Sequence, residues 1–242
     1  SAMVNADWGA FGRSLATLAR CLLCGGASQR FGLCDPCREE LPYVDHGCAG
    51  CALALPEATA AGLCLGCLRR RPPFDHAFAL LHYEYPADRM IGALKFSGRL
   101  ACGRTLGELM ADALRRRNRE LPAAIVPVPL HRERQRERGF NQAVELALPI
   151  ARRLGVELAP GLLFRVRATA PQSGLSARSR RRNLAGGFCL DEARPPESLA
   201  LVDDVMTTGS TLAAAARACR RGGVRRIEVW VAARAELARS RS

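Results

Sequence analysis

Lysine is almost missing from this chain: Lys95 stands alone, and arginine supplies 35 of the 36 basic residues. That bias fits a GC-rich coding genome as well as a surface for polyanions, so by itself it decides nothing. Long apolar runs are absent too. No stretch approaches the ~20 residues that a membrane-spanning helix needs, which argues against an integral membrane protein. The opening segment sets Trp8, Phe11, Leu15 and Leu18 among polar residues and runs directly into cysteines. It is too short and too interrupted for a secretory signal and is expected to form a short amphipathic helix within 1–20. A cytoplasmic location follows as the expectation. Aromatic residues make up only 5% of the chain, which argues against recognition built mainly on stacked rings. The rest is ordinary for a globular protein, with 48% hydrophobic and 24% charged residues among 242. That length suffices for one mid-sized domain and a small accessory unit.

Cysteine is the abundant exception. Eight of the eleven cysteines fall in four C-x-x-C pairs: Cys21/Cys24, Cys34/Cys37, Cys48/Cys51 and Cys64/Cys67. Two residues between cysteines allow a tight turn to aim both sulfurs at one point, and two such turns complete a tetrahedral thiolate site. The head has few large apolar residues, so it needs a staple in order to fold, and zinc supplies one. Gly25, Gly26, Gly50 and Gly66 beside the pairs suit the positive dihedrals of such turns. A disulfide framework would require an oxidising compartment that nothing else suggests, and a redox C-x-x-C normally appears once. Two structural zinc sites in a double ribbon over 21–72 are therefore expected. Simple order pairs the first four cysteines and the last four; an interleaved arrangement is also geometrically open. Cys102, Cys189 and Cys219 read as packed residues. The formal charge of +13 drops by four if eight thiolates hold two dications, and the remainder still favours a polyanionic partner.

After Pro72-Pro73 the pattern changes to alternating strands and helices. Strands are expected at 77–85, 123–129, 199–202 and 227–232, with helices at 88–96, 104–117, 141–154 and 211–221. This alternation predicts a mostly parallel sheet flanked by helices over 73–242, with ligands at the carboxyl ends of the strands. The stretch Val202-Asp203-Asp204-Val205-Met206-Thr207-Thr208-Gly209-Ser210-Thr211 lies at such an end. Two adjacent acids after a buried strand are costly unless they meet hydroxyls, a cation or solvent. The hydroxyl-rich turn after them leads into a helix N-terminus, where free N–H groups and the helix dipole favour phosphate.

That stretch resembles the phosphoribosyl-pyrophosphate motif of type I phosphoribosyltransferases. The resemblance assigns the ribose hydroxyls to Asp203 and Asp204, and the 5-phosphate to Thr207, Thr208, Gly209, Ser210 and Thr211. A second resemblance spans nearly the whole chain and is to the ComF-type competence proteins, related to the gluconate-operon neighbour GntX. It is carried by the four C-x-x-C pairs, Leu94-Lys95-Phe96-Ser97-Gly98, Val126-Pro127-Val128-Pro129-Leu130-His131, Arg138-Gly139-Phe140-Asn141-Gln142, Thr169-Ala170-Pro171-Gln172 and Arg182-Asn183. It implies an α/β type I phosphoribosyltransferase domain behind a small zinc-ribbon domain. It also implies association with the uptake and handling of transforming DNA.

Two arginine-rich segments complete the picture. The first, with His131, Arg132, Arg138 and Asn141, falls where the fold family meets pyrophosphate, although alternating Arg and Glu also suits a solvated helix face. The second, Arg165 to Asn183, corresponds to the loop that closes over diphosphate, and Arg178 and Arg182 are its catalytic candidates; a basic linker is the alternative. Three functions stay open. One is a binder of phosphoribosyl pyrophosphate, with Mg2+, that handles single-stranded DNA. Another is an active phosphoribosyltransferase on an unidentified acceptor. The third is a zinc-ribbon adaptor for a competence helicase or the uptake machinery. Strand binding is expected to be mainly electrostatic, with stacking contributing little.

Overall fold

The computed structural model describes residues 20–28, 31–56, 62–165, 187–191 and 195–236. The helix expected within 1–20, Arg20 apart, and the arginine-rich segment with Arg178 and Arg182 lie outside the described residues. By its contacts the chain parts into two compact units, Ser1–Glu40 and Leu41–Ser242.

In the first unit a knuckle carries Cys21 and Cys24, closed by Cys21 N–H to Gly26 O at 2.7 Å and Gly25 N–H to Cys21 O at 2.9 Å. Cys34 stands at the N-terminus of α1 (Asp35–Glu39), which contains Cys37. Of the four glycines beside the pairs, only Gly25 takes a positive φ, at 76°.

The second unit begins with the other two pairs. Cys48 and Cys51 sit in a tight turn, Cys64 precedes α2 (Leu65–Arg69), and Cys67 lies within it. Gly50 is needed for space and not for its dihedral: a Cβ there would stand 2.8 Å from Cys67 Sγ. This knuckle is tied by its backbone to β1 (His76–His82) through Ala77 N–H to Ala49 O at 2.8 Å, and the stretch before it through Val44 N–H to Leu80 O at 3.0 Å. Pro72-Pro73 therefore falls inside the second unit.

Five strands form one sheet in the order β1–β7–β6–β2–β3, with every pairing parallel. These are β1, β2 (Ala124–Pro127), β3 (Glu157–Leu158), β6 (Ser198–Met206) and β7 (Arg226–Arg234). A separate antiparallel pair, β4 (Leu163–Arg165) and β5 (Phe188–Leu190), lies outside that sheet. The near-continuous apolar runs of β6 and β7 are what a sheet covered on both faces requires. α3 (Ala87–Ser97), α4 (Leu100–Arg116) and α6 (Gln142–Leu154) pack in sequence, with α6 against β6 and β2 and α4 against β1 and β7. A Cβ at Gly107 would collide with Leu146 O and Pro149, so this glycine permits the close approach of α4 to α6. A second apolar core joins Leu199, Leu201, Val229 and Val231 to Leu212, Ala215 and Cys219 of α7 (Ser210–Arg221) and to Leu163 and Leu190.

The expected mostly parallel α/β architecture is borne out, with two corrections in detail. The basic stretch after β2, expected as a loop or a solvated helix face, is a helix, α5 (Arg132–Arg138), ended by Gly139 at φ 75°. And β6 does not stop at Val202. It continues through both acids to Met206, because β7 runs alongside and pairs Asp203 with Val231 and Val205 with Ala233.

Candidate functional site

Strand alternation sends adjacent side chains to opposite faces, so the two acids at the end of β6 meet different surroundings. Asp204 is 4% exposed, and its Oδ2 lies 3.1 Å from Lys95 Nζ on α3. Its other oxygen accepts from Val205 N–H at 2.6 Å. The Lys95 contact is at ion-pair distance but off hydrogen-bond alignment, and Oδ2 is buried without a hydrogen-bond donor among the described residues. Lys95 meets its charge, but a buried carboxylate oxygen with no aligned hydrogen-bond donor is unusual in native proteins. Asp203, partly buried on the other face, accepts from Asp204 N–H at 2.9 Å. Burial, then the neighbouring Asp204 charge, push its carboxyl up from 3.8 to about 7, against the pull of the Asp204 N–H, Lys95 and Arg165. Arg165 stacks on Phe188, with Cζ 4.8 Å from the ring centroid, and its Nε is buried without a partner among the described residues.

These groups line a cleft of about 280 Å³ that also takes in Arg134, Arg138, Thr207 and Thr211. The turn after β6 rises to α7 through Gly209 at φ 74°, a left-handed conformation that a side chain at this position would strain. No side chain caps α7. Thr208 Oγ1 instead donates to Ser210 Oγ at 3.0 Å and accepts from Ser210 N–H at 3.3 Å. Apart from the Ser210 N–H held by Thr208 Oγ1, the first turn of this twelve-residue helix has no side-chain cap, and a helix N-terminus of this kind favours an anion.

Beneath the turn lies a group that the sequence reading did not single out. Arg234, at the end of β7, is 4% exposed, and among the described residues no carboxylate pairs with it. Its Nη1 donates to Met206 O at 2.8 Å and Thr207 O at 2.5 Å, and also to Ala235 O; its Nε donates to Cys51 O at 2.9 Å. One guanidinium therefore holds the carbonyls of the turn after β6 and the backbone of the second cysteine knuckle together. The only sequence signal was an arginine closing a mostly apolar strand. Lys95 was visible as the lone lysine of its motif, yet its partner acid lies far along the chain.

The other expected residues sit as follows. Asn141 is the N-cap of α6, accepting from Ala143 N–H at 3.0 Å and donating to Val128 O at 3.1 Å, so its amide is used in fixing the helix to the residue just after β2. His131 stands at the start of α5 with Nδ1 3.5 Å from Glu133 Oε2. Arg132 opens the same helix. Arg138 reaches Gln142 Oε1 at 3.1 Å and lines the cleft.

The cysteines gather in the simple order. Cys21, Cys24, Cys34 and Cys37 form one group and Cys48, Cys51, Cys64 and Cys67 the other, with sulfurs within 4.8 Å of one another in each. The Cys24–Cys34 and Cys51–Cys64 sulfur distances are both 3.6 Å. A tetrahedral site with bonds of about 2.3 Å has sulfur edges of about 3.8 Å, so the spacing fits zinc. The sulfurs compete for charge. Burial, and then the Cys48 charge, push Cys51 up to about 11. At Cys64 the Cys67 N–H and nearby sulfurs outweigh burial and hold the thiol at about 7. Four thiolates this close need a dication, and both groups offer the donor set for one.

No family model matches the chain. Competence protein F of Haemophilus influenzae is 38% identical over 228 residues, covering 89% of this chain and 97% of that protein. The DNA utilization protein YhgH of Escherichia coli K12 is 36% identical over 205 residues, covering 83% of this chain and 89% of that protein. Among solved structures, a glutamine phosphoribosylpyrophosphate amidotransferase from B. subtilis, complexed with ADP and GMP, aligns at a TM-score of 0.38 and 16% identity. The alignment covers 53% of this chain and only 25% of that one, too weak a likeness to establish more.

Proposed function

Because the chain belongs to the family of competence protein F and DNA utilization protein YhgH, we propose that it binds phosphoribosyl pyrophosphate at Asp203 and Asp204 and handles single-stranded DNA during transformation. The observation that carries the binding site is Asp204 Oδ2, buried, beside Lys95 and without an aligned hydrogen-bond donor among the described residues. A ribose hydroxyl supplies that donor. Asp203 takes the neighbouring hydroxyl, and the start of α7 with Thr207, Thr208, Gly209, Ser210 and Thr211 receives the 5-phosphate. Lys95, Arg134 and Arg138, which line the same cleft, offset the diphosphate charge. Magnesium bound with the ligand would offset the rest of the diphosphate charge. The two cysteine groups hold zinc as structural staples.

The test is to incubate the protein with labelled phosphoribosyl pyrophosphate, magnesium and acceptors that include single-stranded DNA, following both ligand retention and pyrophosphate release. Retention without release supports a binding protein. Release that depends on one acceptor makes it a phosphoribosyltransferase. Neither would sink the site.

An adaptor role has one observation in its favour. Leu65 and Leu68 on α2, at the second cysteine knuckle, are 74% and 53% exposed. If they dock a competence helicase, Leu65→Ser with Leu68→Ser should abolish its capture, and undiminished capture would remove this reading. No helix among the described residues is long and apolar enough to cross a membrane.

A further inference from the structure

Beside the acidic cleft lies a second hollow of about 620 Å³, walled by Phe96, Phe140, Lys95, Arg134, Glu137 and Arg138. We propose that it is a subsite for one base of a single-stranded nucleic acid, stacked on the Phe96 ring with its phosphates held by Arg134 and Arg138. The proposal rests on the reading that the neighbouring cleft holds a phosphoribosyl ligand and that the protein handles a strand.

The geometry of Phe96 motivates it. The residue occupies the last turn of α3, just before Gly98 reverses the chain at φ 61°, and it is 81% exposed. An isolated exposed apolar side chain is common and needs no explanation. This one differs in its company. Arg138 Cζ sits 5.4 Å from the ring centroid, so a guanidinium covers part of one face, while most of the ring stays open. Phe140 adds a second ring to the same wall.

Charge selects the occupant. Three cations and one acid, Glu137, line the hollow, so an anionic chain is drawn in and an acidic base-free ligand gains nothing from the rings. A flat base joined to phosphodiesters uses both features, since aromatic faces accept any base and arginines track its backbone. Position adds the third argument. Lys95, Arg134 and Arg138 line this hollow and the cleft of Asp203 and Asp204 alike, so a strand seated here runs past the phosphoribosyl site. A low overall aromatic content is no obstacle, because the rings that matter are placed at one edge of the site.

The test compares two fluorescent 20-mers of equal charge at low salt, one of deoxythymidine and one abasic, with phosphoribosyl pyrophosphate affinity measured on the same preparations. The wild-type protein should prefer the base-bearing strand by about tenfold, the effect of a stacked base. Phe96→Ala should erase that preference and keep the affinity for the abasic strand within about twofold, while Phe96→Tyr should retain the preference. Equal wild-type affinity for the two strands, or a preference that survives Phe96→Ala, overturns the stacking subsite and leaves electrostatic strand binding standing. Absence of binding to either strand, with phosphoribosyl pyrophosphate bound normally, overturns the subsite together with the strand-handling reading.

Discussion

Replacing Asp203 with Asn should make the unliganded protein more stable at pH 8, even though it damages the proposed binding site. The folded protein raises this carboxyl from 3.8 to about 7, chiefly by burial and by the charge of Asp204. The fold thus holds the Asp203 proton more tightly than the unfolded chain does. Below about pH 4 both states are protonated and the fold keeps its full stability. As pH rises toward about 7 the unfolded chain ionises first, and stability falls. Above about pH 7 the loss is complete. At about 1.36 kcal/mol per pH unit that gap corresponds to roughly 4 kcal/mol. Partial exposure of Asp203 and the charge it shares with Asp204 reduce the expected figure to about 1–2 kcal/mol. Asn keeps the acceptor for Asp204 N–H and removes the charge, so it should recover that amount. For a chain of this size the gain reads as about 4 °C in Tm at pH 8 and less than half of that at pH 5. Thermal melts without ligand at both pH values check it. No gain at pH 8, or an equal gain at both, would refute the claim that Asp203 is held ionised against its surroundings.

Metal analysis of the purified protein should find close to two zinc ions per chain, and a protein lacking zinc with its eight head cysteines in disulfides would contradict the two clusters. Arg234→Lys keeps the buried charge but cannot reach Cys51 O, Met206 O and Thr207 O together. Phosphoribosyl pyrophosphate should then bind about tenfold more weakly, the cost of one or two lost charged hydrogen bonds; unchanged affinity would show that the clamp does not shape the turn.

Much of this was legible in the sequence, for physical reasons that differ by element. The four cysteine pairs were legible, since each C-x-x-C turn brings its own two sulfurs together; which two pairs share a site was not, because spacing leaves the interleaved order open and only the fold brings the pairs together in simple order. The core strands announced themselves as apolar runs too short for helices, and Gly209 and the threonines marked the turn into α7. The end of β6 was not legible, because whether a strand continues through two acids depends on the neighbour that pairs with them, here β7. Short strands such as β3 and the β4–β5 pair carry too few residues for any periodicity. The role of Gly50 was misread as a dihedral requirement, when the crowding of Cys67 Sγ decides it. Arg234 and Lys95 could be seen as residues but not as partners, since their contacts join segments far apart in the chain. The exposure of Phe96 is likewise a product of the tertiary structure: its helix ends at the rim of the cleft.

The most direct measurement is calorimetric titration of magnesium phosphoribosyl pyrophosphate into the wild-type protein and into a folded Asp203→Ala/Asp204→Ala variant. Two lost hydrogen bonds to charged groups, at about 1.5–3 kcal/mol each, should weaken binding by well over tenfold. The account predicts single-site saturation for the wild type and no measurable saturation for the variant. Equal affinity in both proteins, with the variant's melt and zinc content intact, would contradict it.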